Sequence, residues 1–416
     1  MTERAMQTDV LVVGAGPGGS AAAYHLARHG VDVTLLERSA FPREKVCGDG
    51  LTPRGVVAMM KMGVDPADPG FERVVGLRVY SRTDMIELPW PELRSWPDFG
   101  LTRTRHDFDA VLAARAQKGG ARLLERTEAI EPIVRDGWVT GARIRNAEDR
   151  KEPGRSVEAR FVIAADGAAS RFAKPAGVRR DDSRPLGIAA RRYYAADHHP
   201  GPWLESWLDL WEGDVLLPGY GWLFPLADGT INLGAGLLNT SKSFKNVSAQ
   251  RVFDAFAAML PPSWGFSEET AVGKPLSGPL PMGFNRSPLA VPGMLLIGDA
   301  AGAVNPFNGE GIAYAMETGE LAAEVVHEAL VRDRAAIAAT YPQLVRDRYE
   351  PYFRLGRGFA NLIGHPAIMA RATRHLLPNS TVMTFAMRML ANLTDGKDGD
   401  RKDRLFYVAE RLAGAR

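Results

Sequence analysis

Residues 10–19 read Val10-Leu11-Val12-Val13-Gly14-Ala15-Gly16-Pro17-Gly18-Gly19, an apolar β-branched run that breaks into closely spaced glycines. Such a run predicts a strand buried on both faces of a parallel sheet. Behind it, Gly14 permits a tight turn, Gly16 lets the backbone approach a pyrophosphate, and Gly19 lets the next helix pack against the strand. Residues 20–28 form that predicted helix, whose free N–H groups and partial positive charge face the phosphates, and Gly30 ends it. Residues 31–36 read as a second strand ending in Glu37, about 20 residues beyond the glycines, where a carboxylate takes ribose hydroxyls. A glycine triplet alone is a weak sign, but the full order of strand, glycines, helix, strand and acid is specific. It establishes an α/β dinucleotide-binding start and leaves flavin and nicotinamide dinucleotides both open.

The 416 residues, 45% hydrophobic, have room for two or three packed units at roughly 100–200 residues each. Lys and Arg number 51 against 49 Asp and Glu, so no global field draws the chain to nucleic acid; only a local basic patch is open. One cysteine, Cys47, excludes an internal disulfide and a thiolate metal cluster, and it fits a reducing, cytoplasmic setting. The first residues run into Asp9 without the apolar core of an export signal. The apolar stretch 10–24 is broken by glycines and Pro17 and is shorter than the roughly 20 residues of a membrane span. The eight histidines make no HxxH or HExxH pattern, so no metal is expected, and His198-His199 read as a solvent-facing turn. No GxSxG elbow or P-loop supports a hydrolase or kinase.

Two later segments decide the nucleotide. Residues 160–165 read as a strand ending at Asp166-Gly167, and residues 294–297 as another ending at Gly298-Asp299-Ala300-Ala301-Gly302. These resemble the DG and GD motifs of the para-hydroxybenzoate hydroxylase-like flavoprotein superfamily. The resemblance implies FAD, with Asp299 on the ribityl chain and Asp166 nearby. Arg105-His106-Asp107-Phe108-Asp109 resembles the arginine-led segment that contacts the flavin there; the competing reading of Arg105 is a solvated helix start. Asn305-Pro306-Phe307-Asn308-Gly309-Glu310-Gly311 precedes Ile312, Met316, Gly319, Ala323 and Val326 at helical spacing, a predicted buried helix. A helix N-terminus there would stabilise the negative charge of reduced flavin. The resemblance puts the isoalloxazine at Pro306, Gly309, Gly311 and Ile312.

Between the DG and GD motifs lie Trp203, Trp207, Trp211, Trp222 and Trp264, in a stretch that reads as antiparallel sheet. Residues 204–211, 221–226 and 230–238 are apolar runs, broken by Glu212-Gly213-Asp214 and by the hairpin signal Ala227-Asp228-Gly229. Trp203, Trp207 and Trp211 are expected on one face of a single strand, as core. Pro218-Gly219-Tyr220-Gly221-Trp222-Leu223-Phe224-Pro225 resembles the PxxYxWxFP motif of the geranylgeranyl reductase family, whose members saturate isoprenoid double bonds with reduced FAD. The run Phe41-Pro42-Arg43-Glu44-Lys45-Val46-Cys47-Gly48-Asp49-Gly50-Leu51-Thr52-Pro53-Arg54 resembles the KxCGxG segment of that family, closest to its bacterial menaquinone reductase branch.

The expected fold class is therefore α/β with an α+β insert. It combines a Rossmann-like FAD-binding domain of the para-hydroxybenzoate hydroxylase type (1–75, 100–178, 285–334), an antiparallel-sheet substrate domain (76–99, 179–284) and a helical C-terminal region (335–416). The resemblance implies cofactor contacts at Gly14, Gly16, Gly19, Glu37, Arg38, Lys45, Cys47, Gly48, Arg105, Asp166 and Asp299, besides the 306–312 loop. It implies a prenyl-lipid or quinone substrate against Tyr220, Trp222 and Phe224, with Cys47, Tyr220 and Trp222 nearest the chemistry. Aromatic walls suit a prenyl chain because they bury much apolar area with few rotamers lost. Cys47 helps supply or position the proton, with Tyr220 the alternative; the bland reading of Cys47 is a small buried hydrophobe. No second GxGxxG unit follows, so the electron donor stays open among NAD(P)H, a ferredoxin and a membrane dehydrogenase.

The tail is helical, with Leu355, Phe359, Leu362 and Ile363 in phase and an apolar cluster of Met383, Phe385, Met387, Met389 and Leu390, expected as core. Nearby Arg371, Arg374, Arg388, Lys397, Arg401, Lys402 and Arg404 give a second reading, peripheral contact with the inner face of the cell membrane. Two rivals remain. A flavin monooxygenase or halogenase fits the fold, although Tyr220 and Phe224 replace the first Trp and the Ile of a halogenase WxWxIP motif. A non-catalytic prenyl-lipid carrier fits the nucleotide fold, and complete flavin motifs argue against it.

Overall fold

The computed structural model describes residues 6–82, 84–149, 151, 153–242 and 244–414. The extreme ends of the expected domain spans, residues 1–5 and 415–416, lie outside the described residues. Met6–Val13 is the central strand of the first sheet. It pairs in parallel with Arg155–Ala164 on one side and Val33–Leu36 on the other, with Val10 opposite both Phe161 and Val33. Arg122–Leu124 and Met294–Leu296 extend the two edges, again in parallel, and Ala290–Val291 closes one of them antiparallel. Val10, Leu11 and Val12 are wholly buried, as a strand covered on both faces requires. A ribbon of Thr127–Arg135 and Trp138–Asn146 adds antiparallel to the first half of Arg155–Ala164.

The first helix, Pro17–Arg28, starts three residues ahead of the expected 20–28, because Pro17 at its start has the φ that a first turn needs. It packs on Ile312–Val331 so closely that a Cβ on Gly319 would lie 2.4 Å from the Gly18 carbonyl oxygen.

The second sheet has seven strands in the order Ala271–Pro281, Leu186–Tyr194, Ile231–Leu238, Tyr220–Pro225, Trp203–Trp207, Gly76–Tyr80 and Met85–Pro89. All neighbours are antiparallel except Trp203–Trp207 with Gly76–Tyr80. The hairpin at Asp228-Gly229 turns as expected, with Leu226 N–H on the Thr230 carbonyl and Gly229 at φ +82°. Helix Ala249–Met259 covers one face, burying Phe253 and Phe256 with Leu223, Leu233, Ala235 and Leu237. The alternate residues Tyr220, Trp222 and Phe224 therefore project from the other face.

Three expectations need correction: Leu362 of the tail is exposed rather than core, facing away on the last turn of its helix, and the other two lie in the tryptophan stretch. Trp211 does not share a strand with Trp203 and Trp207. The chain leaves the sheet after Trp207, where buried Asp209 accepts the Arg82 backbone N–H, and Leu210–Glu212 pairs with Val215–Leu217 around Gly213. Trp207 does enter the core, stacked on Tyr80 with centroids 4.4 Å apart. Nor does His198 face solvent: its ring stacks on Trp264 at 3.6 Å and contacts buried Glu205.

Helices Tyr341–Ile363, Pro366–Leu376, Ser380–Leu390 and Arg401–Gly414 complete the chain. Tyr349 and Phe353 pack on Phe284 and Tyr314 of the first core, while Met383 and Met387 join Val74, Leu88 and Trp90 at the edge of the second sheet. The tail thus fastens the two sheets together.

Candidate active site

At the end of the central strand, Gly14 adopts φ +100°, and a Cβ there would lie 2.5 Å from the Ala165 carbonyl oxygen. A Cβ on Gly19 would lie 1.8 Å from the Gly14 carbonyl oxygen, so helix and strand meet only because both positions lack side chains. Gly16 differs: its nearest neighbours are Arg43 Nη2 at 3.8 Å, then Arg105 Nη2 and Asp109 Oδ2 at 4.0 Å. An open cradle at a helix N-terminus, flanked by two guanidinium groups, fits a pyrophosphate. Glu37 is buried at the end of Val33–Leu36, accepting the Ala15 N–H at 3.3 Å and the Ser39 N–H at 3.1 Å and pairing with Arg43 at 3.2 Å. Arg38 beside it is exposed.

Arg105 opens helix Arg105–Lys118 and is 6% exposed, so the solvated-helix-start reading fails. Its guanidinium grips Asp109 through two bonds of 2.6 and 2.8 Å, and Arg43 holds the same carboxylate at 2.9 Å. Glu37, Arg43, Asp109 and Arg105 thus form one chain of alternating charge along the cradle.

At the other end, Asp166 accepts the backbone N–H groups of Arg171 and Phe172 on one oxygen, which closes the turn after the DG motif. Burial raises its carboxyl above the ordinary range. Asp299 sits in the single turn Gly298–Ala301 with Lys45 Nζ 3.8 Å away, and a Cβ on Gly311 would lie 3.4 Å from its Oδ1. The loop 305–311 is braced: Asn305 donates to Tyr352 and the Leu390 carbonyl and accepts the Phe307 N–H, and Asn308 accepts the Glu310 N–H. Pro306 packs against Gly356, and Gly311 leads into buried Ile312.

Between these ends lies the segment around Cys47. A Cβ on Gly48 would meet Phe224 at 3.1 Å and Trp222 Nε1 at 3.3 Å, one on Gly50 would meet Phe224 at 3.2 Å, and one on Gly309 would meet the Tyr220 hydroxyl at 3.1 Å. Tyr220, Trp222 and Phe224 therefore form a ladder, with centroid spacings of 5.8 and 6.4 Å, that touches both loops. The Tyr220 hydroxyl donates to the Asn308 carbonyl. Burial pushes it up to about 12, with Cys47 adding to the rise, and burial also raises the half-buried Cys47 thiol while the Arg105 charge opposes.

Several groups here escaped sequence reasoning. Asn232, fully buried, accepts Trp222 Nε1–H at 2.9 Å and donates to the Cys47 carbonyl at 2.8 Å and to Asp49 at 2.7 Å. Asp49, at φ +66°, also accepts from the Tyr193 hydroxyl at 2.7 Å and the Arg105 N–H at 3.0 Å. Burial lifts Asp49 to about 6 against these donors. Glu310 accepts the Thr52 hydroxyl at 2.6 Å on one oxygen, its other oxygen is buried without a partner among the described residues, and burial lifts it to about 7. Arg43, Asp49 and Glu310 stood inside quoted motifs, and Asp109 follows Arg105 by one helical turn. Asn232 and Tyr193 are polar residues within strands, a signal with no specificity.

Residues 7–206 match the FAD binding domain family. The chain is 36% identical to menaquinone reductase of Mycobacterium tuberculosis over 97% of its own length and 96% of that protein. It is 31% identical to digeranylgeranylglycerophospholipid reductase of Thermoplasma volcanium, covering 82% and 84% of the two chains. Among solved structures, a geranylgeranyl bacteriochlorophyll reductase-like protein of Thermoplasma acidophilum superposes with a TM-score of 0.70 at 25% identity, covering 90% of this chain and 98% of that one. The cofactor is FAD. With the cradle, the GD turn and this likeness along almost its whole length, the chain belongs to the geranylgeranyl reductase family of FAD-dependent oxidoreductases.

Proposed function

We propose that this enzyme saturates a carbon-carbon double bond in a polyprenyl chain, the isoprenoid tail of menaquinone or a geranylgeranyl lipid. The observation that carries the reading is the ladder of Tyr220, Trp222 and Phe224, laid on the two loops that belong to the flavin end. The names of the relatives support the substrate class. Bound FAD, once reduced, supplies hydride.

The chain's own residues supply the rest. An isolated alkene has no carbonyl to accept hydride, so addition at one carbon needs a proton at the other. Burial keeps both Tyr220 and Cys47 protonated at neutral pH, and the Arg105 charge beside Cys47 favours the thiolate left when that group donates. The aromatic faces exclude water and align the flat alkene, which also strengthens the few polar groups retained. Gly14, Gly16, Gly19, Glu37 and Arg38 take the adenosine and pyrophosphate end, and Arg105, Asp166 and Asp299 the middle. Lys45, Cys47, Gly48, Pro306, Gly309, Gly311 and Ile312 take the ring end.

The enzyme works at the inner membrane surface as a peripheral protein. Among the described residues no helix is long and apolar enough to cross a membrane. Helix Arg401–Gly414 exposes Leu405, Val408 and Leu412 along one stripe beside Arg401 and Arg404, and Pro366–Leu376 exposes Ile368 and Leu376 beside Arg371 and Arg374. Apolar and cationic groups together suit an anionic bilayer.

Anaerobic incubation of dithionite-reduced holoenzyme with menaquinone, and separately with geranylgeranyl lipids, tests the reading by mass spectrometry of the prenyl fragment. A gain of two hydrogens per bond is expected. Fragmentation matters because a naphthoquinone ring can itself accept electrons; ring reduction alone contradicts the reading.

A further inference from the structure

We propose that Asp49 is the positioning residue for Cys47, holding the Cys47-Gly48 turn through Asn232 at one distance from the Trp222 face. The inference deepens the proposed function and rests on its use of Cys47 beside the reacting alkene.

Asp49 is 1% exposed and sits at φ +66°, a conformation a non-glycine residue keeps only where its surroundings enforce it. Three donors from three separate elements enforce it here. The Tyr193 hydroxyl comes from Leu186–Tyr194, the Asn232 amide from Ile231–Leu238, and the Arg105 N–H from the first turn of Arg105–Lys118. Asn232 uses one amide hydrogen on Asp49 and the other on the Cys47 carbonyl, and its oxygen takes the indole N–H of Trp222. Cys47, Asp49 and Trp222 are thus joined through one fully buried amide, with no flexible link between the thiol's backbone and the aromatic wall.

A second clamp acts from the same sheet. Arg191, 2% exposed, donates to Glu44 and to the Lys45 carbonyl and stacks on the Tyr193 ring at 4.1 Å. The segment 44–49 is therefore held to the sheet at both ends.

The charges around the thiol follow from this placement. Cys47 faces the Arg105 guanidinium, which favours thiolate, and the Asp49 carboxylate, which disfavours it. Arg105, although paired with Asp109, pulls on the thiol more strongly than Asp49 pushes, and burial is the largest influence. Asp49 in turn is faced by Arg191, Arg105, Tyr193 and Asn232. Ionised Asp49 thus adds to the burial that holds Cys47 as a thiol, the form that can donate a proton.

Cys47 is the chain's single cysteine, so its titration can be read without interference. The test uses the FAD-loaded protein, wild type against Asp49→Asn, with Tyr193→Phe as a milder variant that removes one donor and leaves the carboxylate. Two readings are taken against pH: the rate of iodoacetamide alkylation, and the single S–H stretching band in the infrared, which needs no reagent access. Asp49→Asn is expected to move the thiol titration down by about one unit, hence about tenfold more thiolate and faster alkylation below the titration point. Flavin content should be unchanged, and kcat should fall with little change in KM. Tyr193→Phe is expected to lower kcat less and to leave flavin content intact. A superimposable thiol titration in Asp49→Asn overturns the proposal, whatever turnover does. If Asp49→Asn does not fold, an unaltered S–H band and unaltered kcat in Tyr193→Phe overturn it instead. A shifted titration with unaltered turnover upholds the positioning but removes Cys47 from the chemistry, so the two readings fail separately.

Discussion

Gly234 and Gly236 lie two residues apart on the same strand and face, yet alanine should act oppositely at the two positions. A Cβ on Gly234 would lie 2.1 Å from Trp222 Cζ2 and 2.3 Å from Cε2. Carbon atoms in contact prefer about 3.5–4.0 Å, so the indole must retreat by roughly 1.5 Å. That retreat breaks its 2.9 Å bond to Asn232 and leaves a buried N–H unpaired. Overpacking costs about 1–3 kcal/mol and the orphaned donor about 1–3 kcal/mol more. At Gly236 the nearest atoms, Ile188 O at 3.6 Å and Ala189 Cβ at 3.7 Å, allow ordinary contact. There the reduced freedom of the unfolded chain stabilises the folded protein by about 0.4–1 kcal/mol. Thermal unfolding of the FAD-loaded proteins, with kcat/KM on a prenyl substrate, measures both effects. Gly234→Ala is expected to melt several degrees lower and to lose about tenfold or more in kcat/KM, a barrier change of at least about 1.4 kcal/mol. Gly236→Ala should melt at or above wild type and keep its activity. Equal behaviour of the two variants would refute the claim that Trp222 is seated on Gly234 as a working wall.

The nucleotide cradle makes a paired prediction. Gly19→Ala should yield no folded protein because its Cβ meets a backbone carbonyl, whereas Gly16→Ala should fold and melt normally as apoprotein but bind FAD roughly ten- to a hundredfold more weakly, read as flavin per protein after dialysis. Glu310 gives a pH signature. Its folded value near 7 exceeds the unfolded value near 4.5, so its contribution is fully favourable below about 4.5 and is lost as pH rises through 7. Glu310→Gln should therefore gain stability relative to wild type between pH 5 and 8, by up to about 3 kcal/mol, and a flat difference in melting temperature would count against a buried acid. For the membrane surface, wild type should float with anionic vesicles and Leu405→Ser/Leu412→Ser should float less at unchanged melting temperature; equal flotation removes that helix from the contact.

The dinucleotide half was legible because its physics is local: a buried parallel strand, glycines where a Cβ cannot fit and an acid at a fixed offset leave marks within 30 residues or so. The aromatic ladder was legible through the resemblance of residues 218–225 to a PxxYxWxFP motif, whose alternate aromatic positions a strand puts on one face. Trp211 was misplaced because a bend driven by one side chain, Asp209 reaching the Arg82 backbone, has no periodic signature. Asn232, Tyr193 and Asp49 were overlooked because their meaning lies in partners 144–185 residues away. Nothing around Asn232 in the chain says that Cys47 will need its amide.

If the ladder presents a prenyl alkene to reduced flavin, the alkene itself must oxidise that flavin. The most direct measurement is anaerobic stopped-flow mixing of reduced holoenzyme with a quinone-free geranylgeranyl lipid, against the same lipid fully saturated. Flavin oxidation, seen as returning yellow absorbance, is expected with the unsaturated lipid alone, and at the same yield without oxygen or halide. Oxidation that needs oxygen, or that is indifferent to the double bonds, would contradict the account.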